Sequence, residues 1–188
     1  MENYYELNAK EYIDKTKDVN MKEEYDKFFT YVKPNSHILD LGFGSGRDSL
    51  YFKNNGHFVT AIDNVEEFVL NAKKLGIDNV YNMDIRNINF HNEFDAIWAS
   101  ASLLHIPTYD LMHVLNKLYI ALKNEGILYM SFKYGDFEGR KDDRFYNDLN
   151  ETKLKNILSV TEFKVLESYK TIDNLGRENT WFNIILKK

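Results

Sequence analysis

The stretch DLGFGSGRDS, residues 40–49, sets Gly42, Gly44 and Gly46 at alternate positions. Directly ahead of them runs the apolar HILDL (37–41), and behind them RDSLYFKNNG (47–56) carries a helical pattern with its own glycine stop. A glycine-rich bend between a buried strand and a helix brings bare main chain within contact distance of a ligand, because a Cβ at those points would collide with it. HFVTAID (57–63) follows as a second strand, so the bend is the first turn of a βαβ unit. Asp63 closes that strand about 20 residues beyond the loop, where a carboxylate accepts hydrogen bonds from ribose hydroxyls. Loop and carboxylate together read as a site for an adenosine-bearing ligand.

Outward from this unit the alternation continues. VEEFVLNAKKLG gives a second helix, NVYNMDI a third strand, and FDAIWAS (94–100) a fourth. TYDLMHVLNKLYIALKNEG reads as an amphipathic helix feeding the strand GILYMSFKYG. DFEGRKDDRFYNDLN is charged and without apolar period, and ETKLKNILSV resumes as a helix. FKVLESYKTI and TWFNIILKK, joined by the turn-rich DNLGREN, are consecutive strands and should pair antiparallel, which makes the sheet mixed. Residues before 37 have helical spacing of Tyr and Phe. The expected organisation is one α/β domain over 1–188, with a helical cap (1–36) and an α/β core (37–188).

Composition narrows the chemistry. At 188 residues with 44% hydrophobic and 28% charged side chains, the chain can close one sizeable core. The absence of cysteine excludes thiolate nucleophiles, disulfides and Cys-ligated metal sites. A formal charge of -5 speaks against a nucleic-acid partner, and no apolar run reaches the roughly 18 residues of a membrane span. The N-terminus MENYYELNAKEY is acidic where a secretory signal would be basic, so the expectation is a cytoplasmic protein.

The glycine spacing separates two ligand classes. The dinucleotide fingerprint is G-x-G-x-x-G, whereas here Asp40 leads a D-x-G-x-G-x-G run. This run, with Asp63, Asp84 and FDAIWAS, resembles the nucleotide loop and contact strands of class I S-adenosylmethionine-dependent methyltransferases. Within them GSGRDSLYF, GHFVTAID and WASASLLHI look most like small bacterial enzymes of the tellurite-resistance and ubiquinone-biosynthesis types. Phe43 departs from the small or sulfur-bearing residue usual in the loop. The resemblance implies a Rossmann-like seven-stranded sheet, its last strand antiparallel, with helices on both faces. It also implies S-adenosylmethionine as cofactor and S-adenosylhomocysteine as product.

Carried over residue by residue, the resemblance places Gly42 and Gly44 against the methionine portion and Gly46 in helix packing. Asp63 would hold the ribose diol, with Asn64 bordering the adenine. Asp84 would accept the adenine amino group, with the Ile85 backbone reading the ring. The Ala99 carbonyl would take the ammonium, and Arg47 would meet the carboxylate, unless it is a solvated helix-start residue. YELNAKEY resembles a cap signature that brings Tyr12 to the cofactor and Tyr5 toward the acceptor; aromatic residues at this spacing also serve as core.

Methyl transfer needs an aligned acceptor and, for oxygen or nitrogen nucleophiles, a proton sink. His105 in LLHIP is the nearest such group, its competing reading being a structural histidine. Lys133, Arg140, Arg177 and Trp181, with Arg144 nearby, are expected at the carboxyl ends of the strands. There they suit a small anionic or aromatic acceptor, against the plainer reading of a solvated, ion-paired loop. A non-catalytic S-adenosylmethionine-binding regulator, an RNA methyltransferase and a nicotinamide dehydrogenase are the competing functions; the glycine spacing disfavours the last and the acidic balance the RNA enzyme.

Overall fold

The computed structural model describes residues 4–188. Three helices precede the sheet: α1 (Tyr4–Leu7), α2 (Ala9–Thr16) and α3 (Lys22–Phe28). Then come β1 (His37–Leu41), α4 (Arg47–Asn54), β2 (Phe58–Asp63), α5 (Glu66–Lys74), β3 (Asn79–Asn82) and β4 (Phe94–Ala99). They are followed by α6 (Thr108–Ala121), β5 (Leu122–Lys133), β6 (Glu138–Lys141), β7 (Arg144–Asn147), α7 (Glu151–Leu158), β8 (Lys164–Ile172) and β9 (Thr180–Lys187).

Seven strands form one sheet in the order β3-β2-β1-β4-β5-β9-β8. β3 to β5 pair in parallel, and β9 runs antiparallel to both β5 and β8, so the sheet is mixed as the hairpin in the sequence requires. The order reverses beside β1, and this switch point puts the β1–α4 bend and the end of β4 over a common crevice.

Burial explains which segments became strands. Ile38, Leu39, Leu41, Ile97 and Trp98 are fully buried, so β1 and β4 are apolar on both faces as central parallel strands must be. One face packs α6 and α7 through Leu111, Leu115, Leu118 and Ile157. The other packs α3 and α4 through Phe28 and Phe52 onto Trp98, which stacks on Tyr129 at 3.8 Å between ring centroids.

Two segments differ from their sequence reading. The charged stretch after β5 contains the β6–β7 hairpin, closed by Asp142 and Asp143 at φ of 49° and 60°. Left-handed residues at both central positions are what a tight hairpin turn requires, and Asp tolerates them. β5 also begins at Leu122, taking over residues that helical spacing assigns to the end of α6.

Candidate functional site

The loop after β1 works as its glycines require. Gly42, Gly44 and Gly46 all have positive φ, at 72°, 54° and 81°. A Cβ on Gly42 would stand 2.6 Å from Ser102 Cβ, and one on Gly44 3.0 Å from the Tyr12 ring. Gly46 faces Leu75 and Ile77, where helix and strand layers meet. Phe43 points away from the crevice into a cluster with Ala9 and Phe68, so the unusual loop residue anchors the cap instead of shaping the pocket.

Asp63 fixes the loop. Its Oδ2 accepts from the Gly44 N–H at 3.0 Å and its Oδ1 from the Val65 N–H at 3.1 Å. Burial pushes its pKa up to about 6, with these backbone donors working the other way.

A cavity of about 420 Å³, within the range of small-molecule sites, is walled by this loop. Of the cofactor residues expected from sequence, Tyr12, Gly42, Gly44, Asp63, Asn64, Asp84 and Ile85 line it. Asp84 also caps the helical turn at 85–87 and holds Arg86 at 2.6 and 2.9 Å, a hydrogen-bonded pairing that keeps its carboxyl below the usual range. Its remaining lone pairs are available to a ligand. The buried Ser102 hydroxyl has no partner among the described residues and sits in the same wall.

Asp40, Arg47 and Ala99 lie elsewhere. Asp40 is buried and accepts from Ser49 Oγ at 2.5 Å, and Ala99 is fully enclosed in the core. Arg47 is neither solvated nor in this cavity. It forks onto Asp48 through Nε at 2.6 Å and Nη2 at 2.8 Å, and Asp48 also accepts from Tyr25 Oη and, at 2.8 Å, from Trp98 Nε1. Burial works to raise the Asp48 pKa, but Arg47 and these donors outweigh it and hold it low. An arginine that follows the loop in sequence is thus committed to its own neighbour, which reading along the chain did not anticipate.

At the far end of the cavity the β6–β7 hairpin closes over α1. His105 Nδ1 lies 2.7 Å from the Phe145 carbonyl and Nε2 lies 2.7 Å from Tyr5 Oη. A carbonyl only accepts, so Nδ1 carries the proton and Nε2 accepts from the Tyr5 hydroxyl. Burial lowers the His105 pKa to about 4; the bond to Phe145 opposes this, while Arg144 and Lys133 add to it. Both ring nitrogens are therefore occupied, and neither is left to take a proton from an acceptor.

The expected acceptor residues divide. Tyr5 and Arg140 line this cavity, joined by Tyr4 and Arg144. Arg144 lies 4.2 Å above the Tyr4 ring, has no ion pair among the described residues, and keeps a buried Nε without a partner. Lys133 lines neither cavity and sits 4.1 Å over the Tyr146 ring. Arg177 and Trp181 belong to a second cavity of about 110 Å³ across Tyr12 and Ala101, where both donate to Asp173. Ala101 holds a left-handed φ of 50°, a costly conformation for a residue with a Cβ, at the wall the two cavities share. Sequence reasoning singled out neither Ser102 nor Glu24. Ser102 stands only in an apolar-flanked serine pair, and Glu24 has the pattern of any acid on a helix surface.

Comparison with known proteins agrees with this geometry. Residues 39–130 match the family described as "Methyltransferase domain". A carboxy-S-adenosyl-L-methionine synthase from Vibrio vulnificus is 29% identical over 161 residues, 80% of this chain and 64% of that protein. The chain thus spans slightly under two thirds of the curated relatives' length. The crystal structure of Burkholderia thailandensis 1,6-didemethyltoxoflavin-N1-methyltransferase, with bound 1,6-didemethyltoxoflavin and S-adenosylhomocysteine, superposes with a TM-score of 0.82. It is 22% identical, and the match covers 97% of this chain and 84% of that one. A methyltransferase from Methanosarcina mazei gives 0.76 at 19% identity, covering 87% and 97%.

Sheet order and crevice define a Rossmann-like α/β fold. Over residues 39–130 the chain is similar to the methyltransferase domain family, and its fold is that of S-adenosylmethionine-dependent methyltransferases of known structure. The cavity's chemistry fits that cofactor: a bare glycine bend, two carboxylates and an unpartnered hydroxyl share one wall.

Proposed function

We propose that the protein transfers a methyl group from S-adenosylmethionine to a small-molecule acceptor bound at the hairpin end of the larger cavity, in the cytoplasm. The carrying observation is that the Asp63 and Asp84 carboxylates and the Gly42–Gly44 main chain wall one cavity, whose other end is Arg144, Tyr4 and Tyr5. The cofactor, when bound, supplies an electrophilic methyl group on a sulfonium centre.

The chain's own residues do the rest. Asp63 holds the glycine loop through the Gly44 N–H and keeps acceptor capacity for ribose hydroxyls. Tyr12 packs over Gly44 and Tyr5 packs edge-on against Tyr12, so the cap keeps water from the loop. Arg144, without an ion pair among the described residues and facing the cavity, suits an anionic or electron-rich acceptor. The Tyr5 hydroxyl donates to His105 Nε2, which fixes the Tyr5 ring at the acceptor end of the cavity. His105 thereby acts as a positioning residue. The acidic net charge favours a small molecule over nucleic acid.

Calorimetry with S-adenosylmethionine, S-adenosylhomocysteine and NAD tests the reading. Heat with the first two and silence with NAD is expected; the reverse pattern would overturn it. Labelled S-adenosylmethionine with a metabolite panel then distinguishes turnover from binding alone.

A further inference from the structure

The β6–β7 hairpin gathers cations whose neighbouring acids are engaged elsewhere. In its register Lys141 stands directly opposite Arg144, and like charges facing each other across a ladder repel. Lys133, at the end of β5, lies 4.1 Å from the Tyr146 ring centroid, and Arg144 lies 5.2 Å from the same one. None of Lys133, Arg140, Lys141 and Arg144 has an ion pair among the described residues.

The acids nearby do not answer this charge. Glu138 accepts from the Thr108 N–H and hydroxyl at 2.9 and 2.8 Å, Asp173 takes Arg177, and Asp143 gives Arg140 only its main-chain carbonyl. Asp148 faces Lys133 without closing an ion pair, and Asp142 and Asp143 are exposed in the hairpin turn.

Arg144 brings this charge into the larger cavity. Its guanidinium hydrogen-bonds the Tyr5 hydroxyl, yet its Nε is buried with no partner. A buried charged donor left unpaired is costly, and an anion entering the cavity removes that cost. A carboxylate fits better than a phosphate. The Nε edge of a guanidinium forks onto a planar carboxylate, and the walls beside it are the Tyr4 and Tyr5 rings, not main-chain donors. The N-terminus of α6, which Pro107 brings to the same cavity, would serve a phosphate, but Glu138 already caps it at the Thr108 N–H.

We propose that the methyl acceptor carries a carboxylate, which Arg144 binds at the hairpin end while Lys133 and Lys141 add long-range attraction. The role of acceptor rests on the function proposed above; the carboxylate site stands on Arg144 alone.

Benzoate is the probe, with benzamide as its uncharged isostere and inorganic phosphate as the competing anion. Each is titrated calorimetrically into the whole protein, both free and saturated with S-adenosylhomocysteine. The Arg144 Nε–H resonance locates the binding, and the indole N–H of Trp98, buried in the core, certifies that each variant is folded. Saturable benzoate binding that shifts the Arg144 Nε–H is expected, with benzamide and phosphate at least about tenfold weaker and at least about a tenfold loss in Arg144→Gln. Arg144→Lys, which keeps the charge without the fork, recovers only part of that loss. Lys141→Gln costs about two- to threefold at low salt, and the difference fades as salt is added. A wild type without saturable benzoate binding, equal binding by wild type and folded Arg144→Gln, or phosphate held more tightly than benzoate overturns the inference. Arg144-dependent benzoate binding with no heat from S-adenosylhomocysteine would instead keep the carboxylate site and remove the transferase reading.

Discussion

The two ends of the larger cavity are built from different material. At the loop end, contact surface is main chain, exposed by glycines and pinned by one carboxylate through the Gly44 N–H. At the hairpin end it is side chain: Arg144 over Tyr4, and Tyr5 donating to His105. Main-chain surface constrains which residue types stand at fixed spacing, whereas a side-chain surface can be assembled from any segments the fold brings together. The first end is therefore constrained by residue type along the chain and the second by what the fold juxtaposes.

The sharpest way to break this contrast is at Gly42. Glycine there is required by both φ and the 2.6 Å approach to Ser102, so Gly42→Val should weaken S-adenosylhomocysteine on the order of 100-fold or unfold the loop. Calorimetry alongside thermal melting separates the two.

Asp63→Asn comes next. In the wild type the folded state favours the protonated carboxyl, because its pKa rises from 3.8 to about 6. Stability contributed by this group is thus present at acid pH and lost as pH climbs from about 4 to about 6, amounting to about 3 kcal/mol. Denaturation across that window should show the loss in the wild type and not in the variant; identical profiles would mean Asp63 does not carry it.

Arg144→Ala probes the opposite end. Acceptor KM should rise about tenfold while S-adenosylhomocysteine affinity changes less than about twofold. Equal losses in both would erase the division of labour. The smallest effect belongs to Tyr5→Phe, which removes the donor to His105 Nε2. Imidazole nitrogen shifts should show His105 still protonated on Nδ1, with cofactor affinity unchanged and turnover reduced only a few-fold.

The same contrast governs how much could be read from the chain. The strands of the large sheet, its antiparallel last pair, the loop and the Asp63 position followed from apolar runs and glycine spacing, because those signals are local. The β6–β7 hairpin escaped because its turn is Asp142–Asp143 without glycine and its strands are mostly polar. Arg47 was placed by proximity along the chain to the loop, yet Asp48, its immediate neighbour, claims it. His105 was placed near the site, but which nitrogen is free depends on Phe145 and Tyr5, 40 and 100 positions away. The separation of Arg177 and Trp181 from Arg140 likewise needed the third dimension.

Asp48 reaches further than its own ion pair. One oxygen pair receives hydrogen from α3, from β4 and from an arginine that also reaches the Thr16 carbonyl at 3.4 Å. Lid and floor of the crevice are thereby riveted at a single point. Because its folded pKa is depressed, acidification below the ordinary carboxylate range drives a proton onto that rivet. The helices over the crevice should then come loose before the seven strands beneath them do.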